Sequence, residues 1–170
     1  MSIELKPMTQ ADVSALMNLF QLYLYDMSKY MHWPISQEGR FEFDENIVLA
    51  YFRQADHHPY FIMSNGEIAG FALVRRYPYD ADLIDMGQFF ILGKFKRQGL
   101  GQAALKACLQ RHPGDWQVRV LPQNAGAQSF WTKTITTLTN NAHHTSTGDY
   151  QGTEMTFIHF SSESALCSAD

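Results

Sequence analysis

Cysteine is scarce in this chain: there are two in 170 residues, Cys108 and Cys167, far apart and without a C-x-x-C spacing. That scarcity argues against a disulfide framework or a thiolate zinc site, and the expected compartment is a reducing cytoplasm. Long apolar runs are missing as well. No stretch approaches the roughly 18 to 20 residues of a membrane-spanning helix, and the opening MSIELKPMTQADV has no apolar signal core. Basic charge is in short supply, with 13 Lys and Arg against 17 Asp and Glu, a net −4. A broad nucleic-acid footprint is therefore not expected, because it would need a basic face. Net charge does not bear on one small anion site.

What is present suits a globular protein with a real core: 45% hydrophobic residues and 14% aromatics. The length suits one domain, expected over residues 1–160, with the small, polar segment 161–170 as a flexible tail. Oligomeric state is not legible, a homodimer being one option.

Along the chain, Ile3 to Pro7 reads as a short strand. Val13, Leu16, Met17, Phe20 and Leu24 recur at helical spacing, predicting an amphipathic helix over about 10–25. The stretch from Tyr25 to Phe43 is aromatic, contains Pro34 and Gly39, and is expected to be irregular. A second helix is expected over about 44–54. Tyr60 to Ser64 and Ile68 to Arg75 are strand-like runs around Asn65-Gly66, a strong hairpin signal because both residues tolerate positive φ. Ala81 to Leu92 reads as a long strand and Gly101 to His112 as a helix. Trp116 to Leu121 reads as a strand, Asn124 onward as a helix, and Met155 to Phe160 as a last strand. The Thr- and Asn-rich run 132–147 has no readable period. This order predicts an α/β fold, a mixed sheet with helices on both faces.

Lys96-Arg97-Gln98-Gly99-Leu100-Gly101-Gln102 lies between a predicted strand and a predicted helix. A helix start offers unpaired N–H groups and partial positive charge, so this place suits a phosphate, with Lys96 and Arg97 adding charge. A plain strand-to-helix turn with glycines for tight packing is the alternative. No Gly-Lys-Ser or Gly-Lys-Thr follows, and the third glycine of the dinucleotide fingerprint is missing.

The run FFILGKFKRQGLGQAAL resembles the acetyl-CoA signature of the GNAT acyltransferases, an apolar strand and then [Q/R]-x-x-G-x-[G/A] opening a helix. Lys96 stands at the first motif position and Gly99 and Gly101 at the glycines. Asn124, Ala127, Phe130-Trp131 and Lys133 resemble the family's second motif. The resemblance covers nearly the whole chain. It implies a mixed central sheet of about six to seven strands flanked by about four helices, with acetyl-CoA as co-substrate and no metal. It further implies that the backbone of Phe90, Ile91 and Leu92 holds the pantetheine arm and that the N–H groups of Arg97, Gln98, Gly99, Leu100, Gly101 and Gln102 hold the pyrophosphate. Asn124 and Ala127 would lie at the cofactor arm, and Phe130 and Trp131 beside the thiol. The activity implied is acetyl transfer to a primary amine of a small molecule or protein. The alternative is an acyl-CoA-binding sensor or partner-binding module with little catalysis.

Acyl transfer to an amine needs a deprotonated nitrogen, donors for the developing oxyanion, and a departing thiolate of pKa about 8.5. Many relatives place a Tyr where this chain has Trp131, which places it with a Phe-Trp subgroup. An indole N–H donates a hydrogen bond and not a proton, so Tyr60, Tyr77, Tyr79 or water would have to serve. Asp85 stands where a branch of the family places its base; the competing reading is an exposed strand carboxylate. His57-His58 is a second option for proton relay, and His143-His144 lacks metal-ligand spacing. Tyr23, Tyr25, Tyr30, His32 and Trp33, with Asp26, Glu38, Glu42, Asp44 and Glu45, suggest a site for a cationic amine.

Overall fold

The computed structural model describes residues 2–167. Seven strands form one sheet in the order β1-β2-β3-β4-β5-β7-β6. They are β1 (Ile3–Pro7), β2 (His57–Ser64), β3 (Glu67–Tyr77), β4 (Asp80–Ile91), β5 (Asp115–Val120), β6 (His143–Tyr150) and β7 (Thr153–Ser161). All pairs are antiparallel except β4 with β5. Among the described residues five α-helices pack around the sheet: α1 (Val13–Met31), α2 (Asn46–Arg53), α3 (Leu100–Arg111), α4 (Ala125–Thr139) and α5 (Ser162–Leu166).

Strand alternation sends apolar side chains to both faces, so the sheet has two cores. On one face Ile62, Ala72, Val74, Met86, Trp116 and Val118 meet Leu105 and Leu109 of α3 and Ile135 of α4. On the other, Phe61, Phe71, Leu73 and Phe90 meet Leu16, Phe20 and Leu24 of α1 and Val48 and Tyr51 of α2. The Asn65-Gly66 hairpin forms as expected, with φ of 50° and 82°.

Two expectations are corrected, and one unread segment is resolved. Helix α1 continues to Met31, six residues past its predicted end, because nothing breaks it until His32 adopts φ 54° and donates its N–H to Ser28 O at 2.7 Å. The Thr-rich run is helical to Thr139, although Thr is a poor helix former. Burial of Trp131, Thr134, Ile135, Leu138 and Thr139 overrides that preference. The expected flexible tail is ordered over Ser161–Cys167: Ser162 is buried, its Oγ accepts the Gly114 N–H at 2.8 Å, and its own N–H donates to Gly114 O at 2.9 Å. The remainder of that tail, 168–170, lies outside the described residues.

Candidate active site

The pairing of β4 with β5 stops at Met86 opposite Val118. Beyond that point β5 stays with β7 as far as Val120 opposite Thr156, while β4 stays with β3 as far as Ile91 opposite Gly70. The two central strands therefore fork. A bulge at the fork skips Gly87, since Leu73 faces Gln88 and Val74 faces Met86. The opening is a cavity of about 640 Å³, walled by Met86 to Ile91, by Val118 to Leu121, by residues of α4, and by Tyr23, Asp26, Met27 and Tyr30 of α1.

The fork leaves one edge of β4 without a strand partner. Leu92 is not available there: its N–H donates to Ala69 O at 2.8 Å and its carbonyl accepts from Phe95 N–H at 2.9 Å. The Phe90 carbonyl lies against Gly70 of β3. Backbone groups of a strand alternate in direction, so the free edge belongs to Phe89 and Ile91. Of the three residues expected to hold the cofactor arm, Ile91 turns its backbone to the free edge, whereas Phe90 and Leu92 turn theirs toward β3. Phe89, outside that expectation, shares the free edge with Ile91 by the residue-by-residue alternation counted from Leu92.

At the cavity's other end, the first hydrogen bond of α3 runs from Ala103 N–H to Gly99 O at 3.1 Å. The N–H groups of Arg97, Gln98, Gly99, Leu100, Gly101 and Gln102 make no hydrogen bond among the described residues. Arg97 and Gly99 adopt φ of 63° and 76°, which turns successive N–H groups into one concavity, a geometry suited to an anion. Lys96 reaches across the mouth, with Nζ 3.1 Å from Asp26 Oδ2.

Helix α4 supplies the aromatic wall. Asn124 caps it, its Oδ1 accepting the Ala127 N–H at 3.0 Å, while Nδ2 approaches Met27 Sδ at 3.9 Å. Phe130 stacks on Phe89 with centroids 6.2 Å apart, and Trp131 meets the same ring edge-on at 5.1 Å. Trp131 is 7% exposed and belongs both to the core and to the cavity lining. Its indole N–H has no hydrogen-bond partner among the described residues.

Asp85 does not lie where a base is needed. Its carboxylate is 0% exposed and accepts from Arg75 Nε at 2.9 Å, Arg119 Nη2 at 2.9 Å and Nε at 3.2 Å, and Gln117 Nε2 at 3.2 Å. With its lone pairs occupied by two guanidiniums and an amide, it anchors arginines. It is not an exposed strand carboxylate either. The tyrosines named as substitute acids also lie elsewhere. Tyr60 Oη pairs with His112 Nε2 at 2.7 Å, and Tyr77 and Tyr79 pack with Tyr150. His57 Nδ1 is 2.7 Å from Asp56 Oδ1, outside the cavity lining. Two phenols of α1 lie on the cavity wall, Tyr23 and Tyr30, and burial pushes the Tyr23 pKa up to about 12. Sequence inspection placed Tyr23 near the substrate without assigning it to the proton step.

Of the aromatic and acidic group expected to receive a cationic amine, Tyr23, Asp26 and Tyr30 line the cavity. Asp26 is held by Lys96 and, at 3.6 Å, by Lys29. The charged residues lining the cavity are Asp26 against Lys29, Lys96, Arg97, Arg119 and Lys133. The described residues contain no group of three or more His, Cys, Asp or Glu placed to hold a metal, and no helix among them is long and apolar enough to cross a membrane.

A forked β4/β5 pair, a bulge at the fork and an N–H concavity opening the next helix define an acyl-CoA-binding transferase fold. A family model described as the Acetyltransferase (GNAT) family matches residues 15–135, and the chain belongs to that family. No curated protein matches the sequence. Among solved structures, the aminoglycoside acetyltransferase AAC(6')-Ib in complex with ribostamycin and coenzyme A is similar at 16% identity, with TM-score 0.71, covering 100% of this chain and 99% of that one. An acetyltransferase from Thermus thermophilus is similar at 16% identity, TM-score 0.67, covering 95% and 97%. The ribosomal-protein-S18-alanine N-acetyltransferase from Escherichia coli is similar at 15% identity, TM-score 0.58, covering 94% of each chain. At these identities the likeness is one of fold.

Proposed function

We propose that this chain moves an acetyl group from acetyl-CoA, held in the β4/β5 fork, to a primary amine. The observation behind this reading is the run of six N–H groups at 97–102 without partners among the described residues, placed at the end of a strand whose edge is also unpaired there. Unpaired backbone donors need a ligand or water. A pyrophosphate suits the concavity, and an amide-bearing arm suits the edge at Phe89 and Ile91. Apolar walls from Phe89, Phe130 and Trp131 suit the thiol end. When bound, acetyl-CoA supplies a thioester carbonyl open to attack.

The cavity's own side chains limit how protons move. A phenol at about 12 does not surrender its proton to a thiolate of pKa about 8.5. Tyr23 and the Trp131 indole thus act as hydrogen-bond donors to developing negative charge. The Phe130-Trp131 pair supports assignment to a Phe-Trp subgroup of the family, and the free cysteines suit a reducing cytoplasm.

Calorimetric titration with acetyl-CoA, followed by thiol release across a panel of amines, tests the reading. Micromolar binding and thiol release that depends on an amine are expected. Failure of acetyl-CoA to bind the folded protein would sink it. Binding without release on any amine would favour the acyl-CoA-binding module, toward which the absent acid Tyr points.

A further inference from the structure

The floor of the fork holds more positive charge than the protein balances. Arg119 is the first residue of β5 beyond its last pair with β4, and it lines the cavity. Its guanidinium lies flat on the Tyr150 ring, Cζ 3.8 Å from the centroid. Nε and Nη2 bind Asp85, but Arg75 binds that same carboxylate and also donates to Tyr150 Oη at 3.0 Å. Two guanidiniums share one carboxylate, and no other carboxylate among the described residues bonds to either. Arg119 Nη1 makes no hydrogen bond among the described residues, although the side chain is 7% exposed. Nη1 is not a buried orphan, and on the cavity wall a cation with half a counter-charge and a spare donor attracts an anion.

The phosphates of the co-substrate do not supply that anion. The N–H concavity at 97–102 lies beyond Ile91, and the strand from Gly87 to Ile91 alone spans about 13 Å. Lys96 and Arg97 belong to that loop and line the cavity with Lys133, which suffices for phosphate. The acceptor, in contrast, must bring its nitrogen to the fork.

Building on the transferase reading above, we propose that the acceptor is an amine that carries a carboxylate close to the nitrogen, and that Arg119 recognises this carboxylate. The spare Nη1 would donate a charge-assisted hydrogen bond to that carboxylate. A polyamine is disfavoured, because it would bring further positive charge to the same floor. The guanidinium also favours the neutral form of a nearby amine. The neutral nitrogen forms an N–C bond to the thioester carbonyl carbon, the C–S bond breaks, sulfur keeps the electron pair, and the proton lost by nitrogen ends on sulfur.

Matched acceptors test this: amino acids against their own amides, and lysine against cadaverine, each assayed by thiol release with acetyl-CoA saturating. The free carboxylates are expected to exceed their amides by ~10² in kcat/KM, mostly through KM. Arg119→Gln is expected to remove that ratio while acetyl-CoA affinity stays within about threefold, and Arg119→Lys to restore part of it. If amides or cadaverine win with the native protein, the proposal is overturned. It is also overturned if Arg119→Gln slows carboxylated and uncharged amines equally, since Arg119 would then serve the thioester. Should Arg119→Gln fail to fold, the native matched pairs decide alone. Loss of acetyl-CoA binding by the native protein would overturn the transferase reading itself, whereas retained binding with the wrong amine preference overturns only this one.

Discussion

Gly101 and Phe130 occupy complementary space: a Cβ on Gly101 would stand 2.7 Å from Phe130 Cζ and 2.8 Å from Cε2. The smallness of this glycine thus serves the aromatic of α4, which walls the cavity. Gly101→Ala adds a good helix residue, worth up to about 1 kcal/mol, but forces the ring aside at about 1–3 kcal/mol. The expected outcome is small net destabilisation by urea unfolding and about tenfold weaker acetyl-CoA binding by calorimetry. Gly99 has open space but φ 76°, so Gly99→Ala is expected to cost about 1–2 kcal/mol through backbone strain. Gly99→Asp is expected to abolish cofactor binding by placing a carboxylate at the anion concavity. Unchanged affinity in folded Gly99→Asp would remove this loop from the site.

Asp85→Asn separates an anchoring role from a base role. Removing the shared carboxylate leaves Arg75 and Arg119 close together and uncompensated, which is expected to cost about 3–5 kcal/mol. In a chain of 170 residues that corresponds to a fall of about 10 °C in Tm. A variant of native stability whose turnover fell with an altered pH profile would instead return Asp85 to the role of base.

Trp131 sits between core and cavity, and two substitutions distinguish its parts. Trp131→Phe keeps an aromatic against Phe89, with an expected cost of about 1–2 kcal/mol and little change in acetyl-CoA affinity. Trp131→Tyr installs a hydroxyl at the thiol end. Acid catalysis is worth ~10² or more where thiolate departure limits, but a thiolate of pKa about 8.5 leaves readily, so a gain below about tenfold in kcat is expected. If Trp131→Phe does not fold, the residue is core alone.

His112 makes stability depend on pH. Burial, reinforced by the nearby His58 and Arg111 charges, depresses its pKa to about 4. Its ring lies 4.6 Å from that of His58, whose pKa burial also lowers. A histidine lower in the folded state than in the unfolded chain, where it titrates near ~6.5, leaves the unfolded state binding more protons between those values. Stability is therefore present in full above about pH 6.5 and is lost as pH falls toward about 4. Discounted for partial solvent contact, His112 is expected to contribute about 1–2 kcal/mol of that loss. Urea midpoints from pH 7 to 4.5 should fall less steeply in His112→Gln; an unchanged slope would refute the assignment.

The local sequence was sufficient wherever structure depends on neighbours a few residues apart. The Asn65-Gly66 turn, the periodic faces of α1 and α3, and the strand–loop–helix at Lys96 to Gln102 are of this kind. In each, backbone conformation and burial period are written into consecutive side chains. Family membership followed from the same segments. Edge strand β6 was not legible, because His143–Tyr150 is polar and only partly buried, so it has no apolar alternation to read. The Thr-rich half of α4 was equally opaque, since tertiary burial and not propensity makes it helical. The assignment of charges depended entirely on the fold. Asp85, Arg75, Arg119 and Tyr150 come from four strands, and only the pairing of β3, β4 and β5 with the turn of β6 beside them brings these groups together. Sequence spacing holds no record of which residues share a carboxylate. Consecutive side chains thus carry the class of fold and the glycine loop that opens α3, whereas the contacts of Asp85 with two arginines and the place of Arg119 on the cavity wall arise only when distant strands meet.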